Sequence, residues 1–217
     1  LPWNERLSYG ISDFACSFSF NLVGTYLMYF YTDVFGITAS AVGTLMLVAR
    51  VIDAIDGPIW GILIDHTHTR WGKSRPYFLW FNAPFTFFSI LCFTTPDLPM
   101  TWKIVWAYVT YIGIDVLYSA VNIPLTSILP SMTADPDERV VLSTIRSLFS
   151  NFGGTLISVI ALPLVGLFGG ANNPRRGFFW LAVLAALVFF VIYLFVFANL
   201  RERVQTRQSQ KPLPIKT

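Results

Sequence analysis

The chain has 217 residues, of which 54% are hydrophobic and only 12% charged, with a formal net charge of +3. A soluble domain carries about 25% charged residues, so this composition points to lipid. Basic residues are scattered near the ends of apolar stretches, with no run long enough for a nucleic-acid patch, and no nucleic-acid partner is expected.

Hydropathy predicts six membrane-length helices, at about residues 8–32, 39–64, 77–95, 103–129, 141–167 and 177–200. The breaks between them hold Gly, Pro or charge, as turns require. The predicted fold is an all-α membrane protein, with residues 1–200 forming a six-transmembrane-helix bundle. The polar segment 201–217 reads as a cytoplasmic linker. The first residue is Leu1 and the end is a polar tail, which together suggest a piece of a longer protein. Cys16 and Cys92 fall in apolar spans and read as small core residues. Pro58, Pro84, Pro124 and Pro163 lie within predicted spans and are expected to kink them. Gly57 and Gly61 form a small-xxx-small pair suited to close helix packing.

A cytoplasmic N-terminus satisfies the positive-inside rule. It puts Arg6, Arg70, Lys73, Arg75, Arg139 and the basic residues of the tail inside, and Lys103, Arg175 and Arg176 outside. The expected location is the cell membrane, crossed several times, with both ends of the chain in the cytoplasm.

Charge inside the spans carries the functional signal, because one central charge costs about 2.5–3.5 kcal/mol on insertion scales. Arg50, Asp53 and Asp56 recur at i, i+3 and i+6 on one side of the second span. The first span carries Asp13, Ser17 and Asn21 at i, i+4 and i+8. The fourth carries Asp115, Ser119, Asn122 and Thr126 on one stripe, and the fifth carries Arg146, Ser147, Ser150 and Asn151. Up-and-down topology brings most of these to the middle or inner depth of the bilayer, so four helices converge on one polar level. A water-filled or substrate-filled cavity would satisfy them. Arg146 has Asp13 or Asp56 as its possible ion-pair partner.

Hard cations such as Na⁺ take oxygen ligands, which Asp53, Asp56, Ser119 and Asn122 can supply. A proton could instead use one carboxylate held beside another. The coupling cation is therefore Na⁺ or H⁺, with Asp53 and Asp56 as metal ligands in the Na⁺ case; no other cofactor is expected. A sugar needs hydrogen-bonding groups and an apolar ring face. Asp13, Ser17, Asn21, Asn122 and Arg146 are the candidate sugar-binding residues, with rings such as Tyr26 and Trp106 available.

Five segments carry a family resemblance: Tyr9-Gly-Ile-Ser-Asp13, Tyr29-Phe-Tyr-Thr-Asp33, Ala49-Arg-Val-Ile-Asp53-Ala, Arg70-Trp-Gly-Lys-Ser-Arg-Pro76 and Tyr118-Ser-Ala-Val-Asn122-Ile-Pro124. They resemble the glycoside–pentoside–hexuronide:cation symporters, through most of residues 7–150. The fourth segment is the most specific. It also resembles the major facilitator loop, where Gly61-x-x-x-Asp65 precedes basic residues. The resemblance implies a cytoplasmic latch of Asp65, Arg70, Lys73 and Arg75. It implies the N-terminal half of a twelve-helix transporter, with a C-terminal six-helix half to follow. It further implies a coupling cation at Asp53 and a sugar near Arg146.

Departures from the family pattern are local. Gly57 stands where the melibiose carrier has its second cation-site aspartate, and Asp56 replaces a neighbouring asparagine. Ser17 and Asn122 stand where that carrier has sugar-binding aspartates. The Asn-Ile-Pro version is closer to the glucuronide and pentoside branches, and with fewer acids around Arg146 an anionic sugar becomes plausible. The function expected is thus cation-coupled sugar symport by alternating access, the substrate a glycoside, pentoside or hexuronide. The rivals are a major facilitator carrier for another organic solute and a non-transporting membrane sensor. The spans hold no Ser/His pairing, and His66 and His68 lie in a predicted loop, so an enzyme is not expected.

Overall fold

The computed structural model describes residues 1–67, 69–170 and 173–202. Eight α-helices account for most of them: α1 (Trp3–Tyr29), α2 (Ala39–His66), α3 (Arg75–Trp80), α4 (Asn82–Cys92), α5 (Met100–Ser127), α6 (Leu129–Met132), α7 (Pro136–Gly169) and α8 (Pro174–Asn199). The six expected spans are all present, with altered ends. By length and composition α5, α7 and α8 are apolar enough to cross a membrane; α1 and α2 are as long, at 27 and 28 residues, but are more polar, with Asp13 on the first and Arg50, Asp53 and Asp56 on the second. Beyond Glu202, the expected linker lies outside the described residues.

Local sequence explains the boundaries. Asp135 caps α7 by accepting from the Asp137 amide at 3.0 Å, with Pro136 in the first turn and two acids beside the helix dipole. Asn173 and Pro174 start α8 in the same way. The third span is one unit in the sequence and two helices in the structure. Pro84 has no amide to offer the Trp80 carbonyl and its ring crowds it, so the helix breaks at Phe81. The other three prolines sit inside unbroken helices. The first span ends in a π-helical turn, Phe30–Val34, in which the Phe35 amide reaches back to Phe30 O at 2.8 Å. Two cations complete this end: Lys103 Nζ donates to Phe35 O at 3.0 Å and Arg175 Nε to Val34 O at 3.2 Å.

Contacts between helices fix their directions. Along α1 and α7, partners sit at near-constant separations of 132 or 133 residues: Arg6 with Glu138, Ser17 with Ser150, Tyr26 with the Ser158 carbonyl. A constant separation means the two run parallel and in register. Tyr108 with Thr44 and Ser119 with Asp56 make α2 and α5 parallel likewise. In contrast, α8 runs against the third span, since Asn82 meets Phe190, Phe85 meets Phe189 and Arg75 meets Phe197. These directions are those of six spans that alternate across a bilayer. Small residues let α1 and α7 approach. A Cβ on Gly153 would lie 2.7 Å from the Phe14 carbonyl oxygen, and one on Gly10 2.7 Å from Ile145. The core is aromatic, with Phe30, Phe93 and Phe178 clustered at ring-centroid distances of 5.1 to 6.0 Å.

Candidate substrate and cation sites

Arg146 is the hub of the first site. Its Nη2 meets Asp13 Oδ1 at 3.1 Å and Asn122 Oδ1 at 3.2 Å; its Nη1 donates to Thr126 Oγ1 at 3.1 Å and to the Tyr9 hydroxyl at 3.5 Å. The guanidinium also lies over the Tyr9 ring, 5.9 Å from its centroid. Two helices, α1 and α5, thus supply its partners, and a third, α7, carries the arginine itself. Asp13, and not Asp56, is the ion-pair partner. With only about a fifth of its side chain exposed, Arg146 gains most from a fixed opposite charge.

One helical turn further along α1 and α7, Ser17 and Ser150 exchange a 2.5 Å hydrogen bond, and Asn21 folds back onto the Ser17 carbonyl. A groove of about 430 Å³ opens there, lined by Ser17, Asn21, Ser150, Asn151, Gly154 and Thr155. Its wall offers hydroxyls and amides. Asn122 turns its amide nitrogen towards the Tyr118 hydroxyl at 3.4 Å, and Tyr118 stacks on Phe20 with centroids 4.0 Å apart. These two rings, together with Tyr9, lie by the hub. Tyr26 does not: its hydroxyl is held by the Ser158 carbonyl at 2.7 Å. The sequence does not single out Phe20, and Tyr118 enters it only within a family segment and not as a sugar-facing ring, because 17% of the residues are aromatic.

The second site lies between α2 and α5. Asp53 pairs with the exposed Arg50 at 3.4 Å and keeps a third of its side chain exposed. Asp56 is buried at 7% exposure, with the neutral donors Ser119 and Trp60 as its side-chain neighbours. A buried carboxylate faced by neutral donors suits a cation. Asp115 is buried at 4% exposure and meets Asp53 side chain to side chain, with Arg50 and Asp56 near it. The sequence puts Asp115 on the polar stripe, but only the parallel packing of α2 and α5 brings it to Asp53. Asn122, expected on both sites, is held in the Arg146 cluster. Among the described residues no group of three or more His, Cys, Asp or Glu side chains is arranged to hold a metal ion.

The four expected latch residues lie around the turn between α2 and α3. Arg75 donates to the Phe197 carbonyl at 2.7 Å and lies over that residue's ring. Its burial lowers its pKa, an effect that the carboxylate of Glu202 opposes. Arg70 stacks on Trp71 at 4.8 Å, and Lys73 contributes its backbone amide to Glu202. Asp65 is exposed and makes no ion pair with another described residue.

Residues 8–215 match the family described as MFS/sugar transport protein. The chain belongs to this family. It is 65% identical to the isoprimeverose transporter of Lactiplantibacillus pentosus over 218 residues, covering 100% of the chain and 46% of that protein. It is 42% identical to an inner membrane symporter of Escherichia coli (strain K12) over 205 residues, 94% of the chain and 44% of that protein. A glucuronide carrier protein homolog of the same organism is 34% identical over 216 residues, 99% of the chain and 47% of that protein. The chain spans about half the length of the curated relatives it matches. The resemblance to the glycoside–pentoside–hexuronide:cation symporters is borne out, and the chain is of a carrier family embedded in the membrane, not of an enzyme family.

Proposed function

We propose that this chain is the N-terminal half of a cation-coupled sugar symporter that works by alternating access, with a second six-helix half closing the transport path. The cation sits among Asp53, Asp56 and Ser119, and the sugar against Arg146, Asn122, Asp13, Ser17 and Asn21. One observation carries this reading. A single turn of α5 joins the two sites, with Ser119 beside Asp56 and Asn122 on Arg146. Three residues of helix are about 4.5 Å of rise. A cation that draws Ser119 towards the carboxylates therefore acts on the residue that orients the arginine. By linkage, sugar must favour the cation to the same degree.

The substrate is a neutral glycoside of the isoprimeverose kind, and not a hexuronide. Asp13 already balances the Arg146 charge, so a carboxylate on the sugar would meet a neutralised pair. Hydroxyl groups can line up along Ser17, Asn21, Ser150 and Asn151, while Phe20 and Tyr118 offer a flat apolar face. The relative named for isoprimeverose supports the same class. The test is uptake by the full-length carrier in sealed vesicles under imposed Na⁺ or proton gradients, with isoprimeverose and a glucuronide as rival substrates. Gradient-stimulated uptake of isoprimeverose is expected. Faster uptake of the glucuronide overturns the neutral-sugar assignment, and uptake indifferent to both gradients overturns symport.

A further inference from the structure

Glu202 follows α8 by three residues and lies under the turn that leads into α3. Its Oε2 accepts from the Lys73 amide at 2.9 Å, and its Oε1 accepts from the amides of Ser74 at 2.8 Å and Arg75 at 3.2 Å. These are donors that a helix start leaves unpaired, and a carboxylate satisfies them with charge-assisted bonds. The turn is shaped for it. Gly72 has φ +108°, and a Cβ there would collide with the Glu202 carboxylate. Thr69 braces the turn by accepting from the Trp71 amide at 3.2 Å and donating to the Gly72 carbonyl at 2.8 Å.

Further contacts join the same two segments. Trp71 packs edge-on against Phe197, 5.7 Å between centroids, and the Arg75 guanidinium lies over the same ring at 5.2 Å. Buried Ser74 shares a 3.0 Å hydrogen bond with Ser127 of α5. All of the partners belong to this one bundle, so relative motion of a second half need not break any of them.

We propose that Glu202 is a fixed strap, binding the exit of α8 to the turn before α3. That the strap anchors a tether to a second half rests on the function proposed above; the strap itself does not. Tension along the chain beyond Glu202 then reaches the foot of the third span as well as α8, and moves the bundle as one body.

Hydrogen exchange on the full-length carrier tests this without any transport measurement, so loss of coupled uptake and loss of the strap are separate outcomes. The amides of Lys73, Ser74 and Arg75 should exchange as slowly as those inside α4. E202A should speed them by about tenfold or more. Acceleration confined to the turn and acceleration spreading into α4 both support the strap, since each requires the carboxylate. Exchange at open-loop rates in the unaltered carrier overturns it, with no variant needed. So does an E202A carrier whose turn amides exchange as slowly as before.

Discussion

At the scale of single residues, the strongest local constraint is the Asp13–Arg146 pair. Removing one partner of a buried pair leaves an uncompensated charge, and D13N is expected to destabilise the full-length carrier by about 3 kcal/mol. A lowered melting temperature checks it. R146A removes the hub and should weaken sugar affinity while cation binding persists; calorimetry with the sugar and with the cation separates the two. D53N should abolish the cation stimulation of uptake, and an unchanged response to cation contradicts the role given to Asp53. The pair was open to reading from the sequence, because Asp13 and Arg146 fall at similar depth on helices of the same direction. Glu202 was not. Nothing in its neighbourhood in the chain shows that three amides from 127 to 129 positions away point at it.

At the scale of elements, hydropathy locates every span but misjudges ends and continuity. Helix ends here are set by caps and by polar first turns, which an apolar window passes over: α1 begins at Trp3 and α7 at Pro136, each about five residues before its expected start. Proline is legible as a disturbance but not as to outcome. Pro84 breaks the third span, whereas Pro58, Pro124 and Pro163 are absorbed. Close approach of α1 and α7 depends on glycine. G153A puts a Cβ against the Phe14 carbonyl, where backbone must shift, and should lower stability by about 1–3 kcal/mol. G166A meets nothing within 4 Å and should be neutral or mildly stabilising, by up to about 1 kcal/mol. Thermal melts of both variants in the same carrier decide whether α1 and α7 are in fact the tight seam.

At the scale of the whole molecule, the alternating directions of the spans follow from contacts, while the orientation proposed for them in the bilayer rests on basic residues alone. A single cysteine at Lys73 should react with an impermeant reagent only from the cytoplasmic side, and one at Arg176 only from outside. The reverse pattern would invert the bundle. The polar level of the spans was legible because charge inside apolar helices is rare. Its division into two sites was not, since that depends on which neighbour each face of α5 meets.

That division has an evolutionary consequence. Under the assignment proposed above, Ser119 and Asn122 share one turn, so a substitution there is expected to shift ionic and sugar preference together. Lineages that acquire new sugars should therefore vary first at Asn21, Asn151 and Thr155, on the far wall of the groove, and hold that turn constant.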